Sequence, residues 1–203
     1  MGAPGQRTAS FARSGLILPF TLAILLLPQS GFAETFHTLK GLLSQHFAEA
    51  QKVSFRRVEL DPAQMQVVQE RLRSPLSKHQ WTFYRAERSG MPVGYALFDS
   101  EKGQHELMDV ATFFDAKGKV TRVELMSFRE PYGDGVKSER FRQQFIGKDA
   151  RSGFVAGRDI DTISGATLSS RAMAKAVQRA AVLLDLGLAG GSIETNAPVA
   201  AVP

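Results

Sequence analysis

The chain has no cysteine among its 203 residues, and that absence removes a whole set of chemistries. Without thiolates there is no disulfide, no cysteine-ligated zinc or iron–sulfur cluster and no thioether haem attachment. An electron carried by this protein would travel on an organic cofactor or on a metal with other ligands. Histidine is scarce too. His37, His46, His79 and His105 are scattered, no two at metal-ligand spacing, so no metal site is expected. A P-loop, a G-x-G-x-x-G turn and a G-x-S-x-G elbow are all missing, and Ser169 and Ser170 have no base legible in sequence. Nucleophilic hydrolysis is therefore unsupported, and no catalytic residue is assigned. The net charge of +5 is too slight an excess of base to point to nucleic acid.

Long apolar runs are short here as well. Residues 16–27 form an apolar run of twelve, below the roughly 20 needed to span a bilayer. Arg7 and Arg13 precede it, Gly31-Phe32-Ala33 follows, and no acidic residue comes before Glu34. Residues 1–33 thus read as a signal peptide, and the mature protein as periplasmic or otherwise exported. An uncleaved inner-membrane anchor is the alternative. Cleavage after Ala33 would leave 170 residues with a net charge of +3, enough for one domain with a real core.

What is present has α+β order: a single domain built on an antiparallel sheet of about four strands flanked by helices. Residues 34–79 read as a helix–strand–helix packing segment that covers one sheet edge. Leu39, Leu42, Leu43, His46 and Phe47 share a helix side, residues 53–60 alternate as a strand, and Asp61-Pro62 starts a second helix. The strands of residues 80–87 and 92–98 are joined at Ser89-Gly90, and those of 105–114 and 119–128 at a turn ending in Gly118. In the last strand, Val120, Val123, Leu125 and Phe128 mix periods, which marks a bulge or burial on both faces. A helix is expected over 136–145, then an aperiodic stretch that Phe154, Val155 and Ile160 dock onto the sheet.

From Leu168 a three-and-four spacing runs through Ala172, Met173, Ala176, Val177, Ala180, Leu183 and Leu184, with Ser169, Arg171, Lys175, Gln178 and Arg179 on other faces. Gly187 is expected to stop this helix, and residues 187–203, with Glu194 their one charge, to be a disordered tail. Immediately before the helix stand Asp161-Thr162-Ile163-Ser164-Gly165-Ala166-Thr167. Small residues allow close approach of a ligand to backbone, and the first helical turn offers unpaired N–H groups and the positive end of the dipole to an anion. The dipole alone contributes roughly 0.3–1 kcal/mol per charge, too little to retain a cofactor without further contacts or a bond. The same run also reads as an ordinary N-cap, with Ser164 or Thr167 accepting an N–H bond.

Asp161 to Thr167 matches the D-x-x-[S/T]-G-A-[T/S] motif and resembles the FMN-binding domain family, found in subunits of the sodium-pumping NADH:quinone oxidoreductase and of Rnf complexes. The similarity runs over about residues 80–186. It implies FMN held covalently by a phosphoester bond to Thr167, formed by a flavin transferase that uses FAD as donor. Asp161, Ser164, Gly165 and Ala166 would then shape the phosphate pocket and be read by the transferase, with Leu168 beside them. Glu130-Pro131-Tyr132-Gly133 is similar to a looser E-T-P-G-like family loop near the flavin ring, which makes Glu130 and Tyr132 candidate contacts. The implied function is an exported electron carrier that meets a membrane or periplasmic redox partner. A non-covalent FMN-binding reductase and a non-redox exported binding or scaffold module are the alternatives.

Overall fold

Side-chain alternation in the middle of the chain builds the sheet around which everything else packs. The computed structural model describes residues 1–2, 34–35, 37–128 and 133–191. The signal segment, Glu130, Tyr132 and the last twelve residues fall outside these. Strands β1 (Glu34–Thr35), β2 (Lys52–Glu59), β3 (Gln80–Arg88), β4 (Met91–Lys102), β5 (Leu107–Asp115) and β6 (Val120–Phe128) form one antiparallel sheet in the order β1-β6-β5-β4-β3-β2. The four expected strands are its centre. To them the structure adds β2, which pairs with β3 from Lys52↔Glu87 to Glu59↔Gln80 and so extends the sheet, and the two-residue β1 beside β6.

Helices cover both faces. On one lie α2 (Pro62–Leu72) and α4 (Thr167–Ala189), over a core that includes Trp81, Phe83, Tyr95, Leu97, Val110 and Phe114. The other face carries α1 (Leu39–His46), whose Leu42 and Leu43 pack with Phe47, Ala86, Ala96, Ala111 and Phe113. Each such fully buried large side chain contributes on the order of 1.5–3 kcal/mol. Asp61 caps α2 as expected, its carboxylate accepting from Gln64 N at 2.8 Å while the Gln64 side chain returns a bond to Asp61 N.

The mixed period in β6 has a definite cause. Register against β5 slips at Asp109/Val110 and again at Phe113/Phe114, leaving Met126 and Thr121 as extra residues. Two bulges therefore rephase the strand, and Val120, Val123, Leu125 and Phe128 all join the α4-side core. The displaced residues serve the opposite face: Thr121 Oγ1 lies 3.2 Å from His46 Nε2, and Met126 packs on the α1-side cluster.

Two helix expectations are corrected. Residues 136–145 do not form one helix: a 3-10 turn, Asp134–Lys137, is followed by α3 (Glu139–Gln143). Between them Ser138 is extended, with ψ 138°, and its hydroxyl accepts from Phe141 N at 3.4 Å. A serine there favours capping over continuation. The last helix does not stop at Gly187 either. It runs through that buried glycine to Ala189, with Gly190 as C-cap, because burial of Leu183 and Leu184 outweighs glycine's low propensity.

Candidate functional site

The site residues collect where α4 begins, and no side chain closes that end of the helix. Ala166 occupies the N-cap position with φ −131° and makes no side-chain cap bond, so neither Ser164 nor Thr167 acts as the cap. The first intrahelical bond is donated by Ser170 N to Ala166 O at 2.8 Å. The N–H groups of Thr167, Leu168 and Ser169 thus have no acceptor within the helix. Thr167 is half-buried, and among the described residues its hydroxyl makes no hydrogen bond. Leu168, expected on the apolar face, is 45% exposed instead.

The approach to the helix is a tight turn. Ala166 N donates to Ile163 O at 2.9 Å, with Gly165 at φ +77° in the left-handed region that glycine enters without penalty. A Cβ on Gly165 would meet nothing within 4 Å, so the space before this turn is open. Asp161, Thr162 and Ser164 are exposed, whereas Ala166 is buried.

The backbone under these exposed side chains is tied down from three sides. Ser170, fully buried, accepts from Ile163 N at 3.3 Å and donates to Ala166 O at 2.8 Å. Gln144, at the end of α3, accepts from Asp161 N at 2.7 Å and donates to Asp161 O at 3.4 Å. Upstream, Ile160 and Phe154 are buried and anchor the segment, while Val155, expected to dock with them, is 52% exposed. The Asp159 carboxylate accepts from Val155 N at 2.9 Å. The Arg158 guanidinium first, then this amide, hold its carboxyl below the usual range.

Of the second predicted element, Glu130 and Tyr132 lie outside the described residues, but Gly133 places its end. A Cβ on Gly133 would stand 2.5 Å from Ser169 Oγ and 3.5 Å from the Phe128 ring, and one on Gly135 would stand 2.6 Å from Ile163. The loop that leaves β6 therefore runs directly against the first turn of α4, and only glycine permits that approach. Ser169, read as a polar-face residue, is buried in the contact.

Sequence reasoning also missed Arg179. It is 5% exposed; Nε donates to Asp99 at 2.6 Å, Nη1 pairs with Glu101, and Nη2 donates to Ser100 O at 3.1 Å. Lys78 adds a bond to Asp99 and Lys175 one to Glu101. Burial works against the guanidinium charge, yet the two carboxylates outweigh it and raise its pKa. Asp99 and Glu101 stand two apart on β4, which puts both on one face; that spacing was the available signal.

A flavin phosphate fits the start of α4. The helix presents amides without internal acceptors, Gly165 leaves open space before them, and a threonine hydroxyl stands free of hydrogen bonds to the described residues. Residues 103–182, from the β4–β5 turn to the body of α4, match the family described as FMN-binding domain. The likeness to that family first carried by residues 161–167 thus extends over β5, β6, α3 and most of α4, and makes this a flavin-binding fold. Among solved structures, the chain is similar to NqrC of Shewanella oneidensis, with 13% identity, 67% of this chain and 80% of that chain covered, and a TM-score of 0.44. It is also similar to the corresponding component of the Na(+)-translocating NADH-quinone reductase from Parabacteroides distasonis, with 18% identity, coverage of 71% and 85%, and a TM-score of 0.41. At these scores neither likeness bears on function. The comparison with curated proteins gives no match.

Proposed function

We propose that this protein is an exported electron carrier whose FMN is bound through a phosphoester to Thr167. The observation that carries the reading is the position of Thr167: the first residue of α4, inside the matched FMN-binding stretch, with a hydroxyl free of bonds to the described residues. The amides of Thr167, Leu168 and Ser169 would face the phosphate, and the Gly165 turn would let it approach the backbone. The flavin, when bound, supplies the redox chemistry; the chain attaches and orients it and excludes water from one side. Export through residues 1–33 gives covalent attachment a reason, since FMN lost outside the inner membrane is hard to replace. A flavin transferase matures the protein, and a membrane or periplasmic partner exchanges electrons with it.

Co-expression with a flavin transferase tests this directly. The expected product is a band that fluoresces on a denaturing gel, with a flavin phosphate on the peptide containing Thr167 and none in Thr167→Ala. An adduct that survives Thr167→Ala moves the attachment elsewhere, and flavin released wholly by acid makes binding non-covalent. N-terminal sequencing of the exported protein is expected to begin at Glu34.

A further inference from the structure

We propose that Gln144 is a positioning residue for the loading of Thr167, holding the motif turn in the shape a flavin transferase must grasp. The inference rests on the covalent reading above and adds a residue outside the motif. One side-chain amide satisfies both backbone groups of Asp161, accepting at 2.7 Å and donating at 3.4 Å, as a neighbouring strand would. The amide stands on a fixed base, because Phe141 and Phe145 on either side of Gln144 are buried and their rings pack edge to face at 5.6 Å. Further along the turn, the Ser170 hydroxyl takes Ile163 N. Backbone is thus pinned at 161 and 163 while the side chains of Asp161, Thr162 and Ser164 remain exposed for an enzyme to contact.

In loading, the Thr167 hydroxyl oxygen bonds to the flavin-side phosphorus of FAD, the P–O–P anhydride breaks, AMP leaves and the hydroxyl proton is released; no electrons change hands. A turn already in its docked shape meets no ordering cost when the transferase closes on it. Loss of the clamp should therefore weaken productive docking and leave the chemical step alone, so that KM for the protein rises and kcat holds.

The test measures initial rates of in-gel fluorescence with purified transferase, FAD and the full chain at varied concentration. Gln144→Met, of similar size with no hydrogen bonds, should raise KM at least fivefold with kcat within twofold. Gln144→Glu, which keeps the acceptor for Asp161 N, should stay within twofold of wild type in KM. In the flavin-free protein, hydrogen exchange at the Asp161 amide should quicken at least tenfold in Gln144→Met and stay slow in Gln144→Glu. An unchanged KM in Gln144→Met, a loss confined to kcat, or equal effects of the two substitutions would overturn the role. If Gln144→Met does not fold, a Gln144→Glu protein that loads slowly despite a protected Asp161 amide overturns it. Wild type that takes no label sinks the covalent reading itself, whereas labelled wild type with an indifferent variant sinks only Gln144.

Discussion

The two ends of α4 are fastened in opposite ways. Its middle and far end are held from within the fold: Ala172 to Leu184 are largely buried, and Arg179 locks the helix to β4 through Asp99 and Glu101. Its beginning is held from outside the helix, by Gln144 and Ser170 gripping the turn that leads in, and its own first amides have no acceptor within it. A helix built only for stability would carry a serine or aspartate cap at Ala166, a gain of about 1 kcal/mol. The contrast teaches that stability and site are assigned to separate parts of one helix, so substitutions should divide cleanly between them.

The largest effect that sharpens the contrast is expected from Arg179→Met. It leaves Asp99 and Glu101 buried with only Lys78 and Lys175 as partners, and should cost about 3 kcal/mol in urea unfolding while flavin loading of the folded fraction is unchanged. A loading defect without loss of stability would break the division. Next comes Gly133→Ala, where φ +98° and the clash with Ser169 Oγ act together. A loss of about 2 kcal/mol is expected, and the added change Ser169→Ala should recover the steric part but not the backbone strain. Full recovery would mean that the left-handed conformation is not needed.

A control on the α1 face comes from pH. Burial first, then the Arg122 charge, lowers the pKa of His46 from 6.5 to about 4. The unfolded chain then binds more protons than the folded one between these values. Stability should be full above pH 6.5 and fall as pH drops toward 4, by about 1 kcal/mol once the ring's remaining contact with water is allowed for. In His46→Gln that slope should flatten, with loading at pH 7 unaltered. Smallest of all, Thr167→Ala should shift stability by no more than about 0.5 kcal/mol, although it removes the adduct entirely. A larger shift would make Thr167 part of the scaffold.

Much of this was legible in the residues. Alternation in the central strands, the Ser89-Gly90 and Gly118 turns and the Asp61 cap all act over a few residues, and each formed where local chemistry predicted it. The motif was legible because its residues are contiguous. What lay hidden depends on partners far apart in the chain: Gln144 meets Asp161 across 17 positions, and Arg179 meets Asp99 across 80. Ser138 and Gly187 misled in opposite directions. A cap inside an apolar pattern split the helix of 136–145, while packing carried α4 through a glycine that on propensity alone should have ended it.

The doubled bulge in β6 makes the strand's length a matter of parity. Deleting Thr121 or Met126 alone would invert the facing of every residue beyond it, turning one set of apolar side chains toward the wrong helix and sending the chain into Gly133 from the opposite side. Deleting both would restore the phase of Phe128 but strand Val123 and Leu125 between the two layers. Insertions and deletions in this strand can be silent only where they leave each of its three runs in step, so its nine residues are as firmly counted as any in the motif they lead toward.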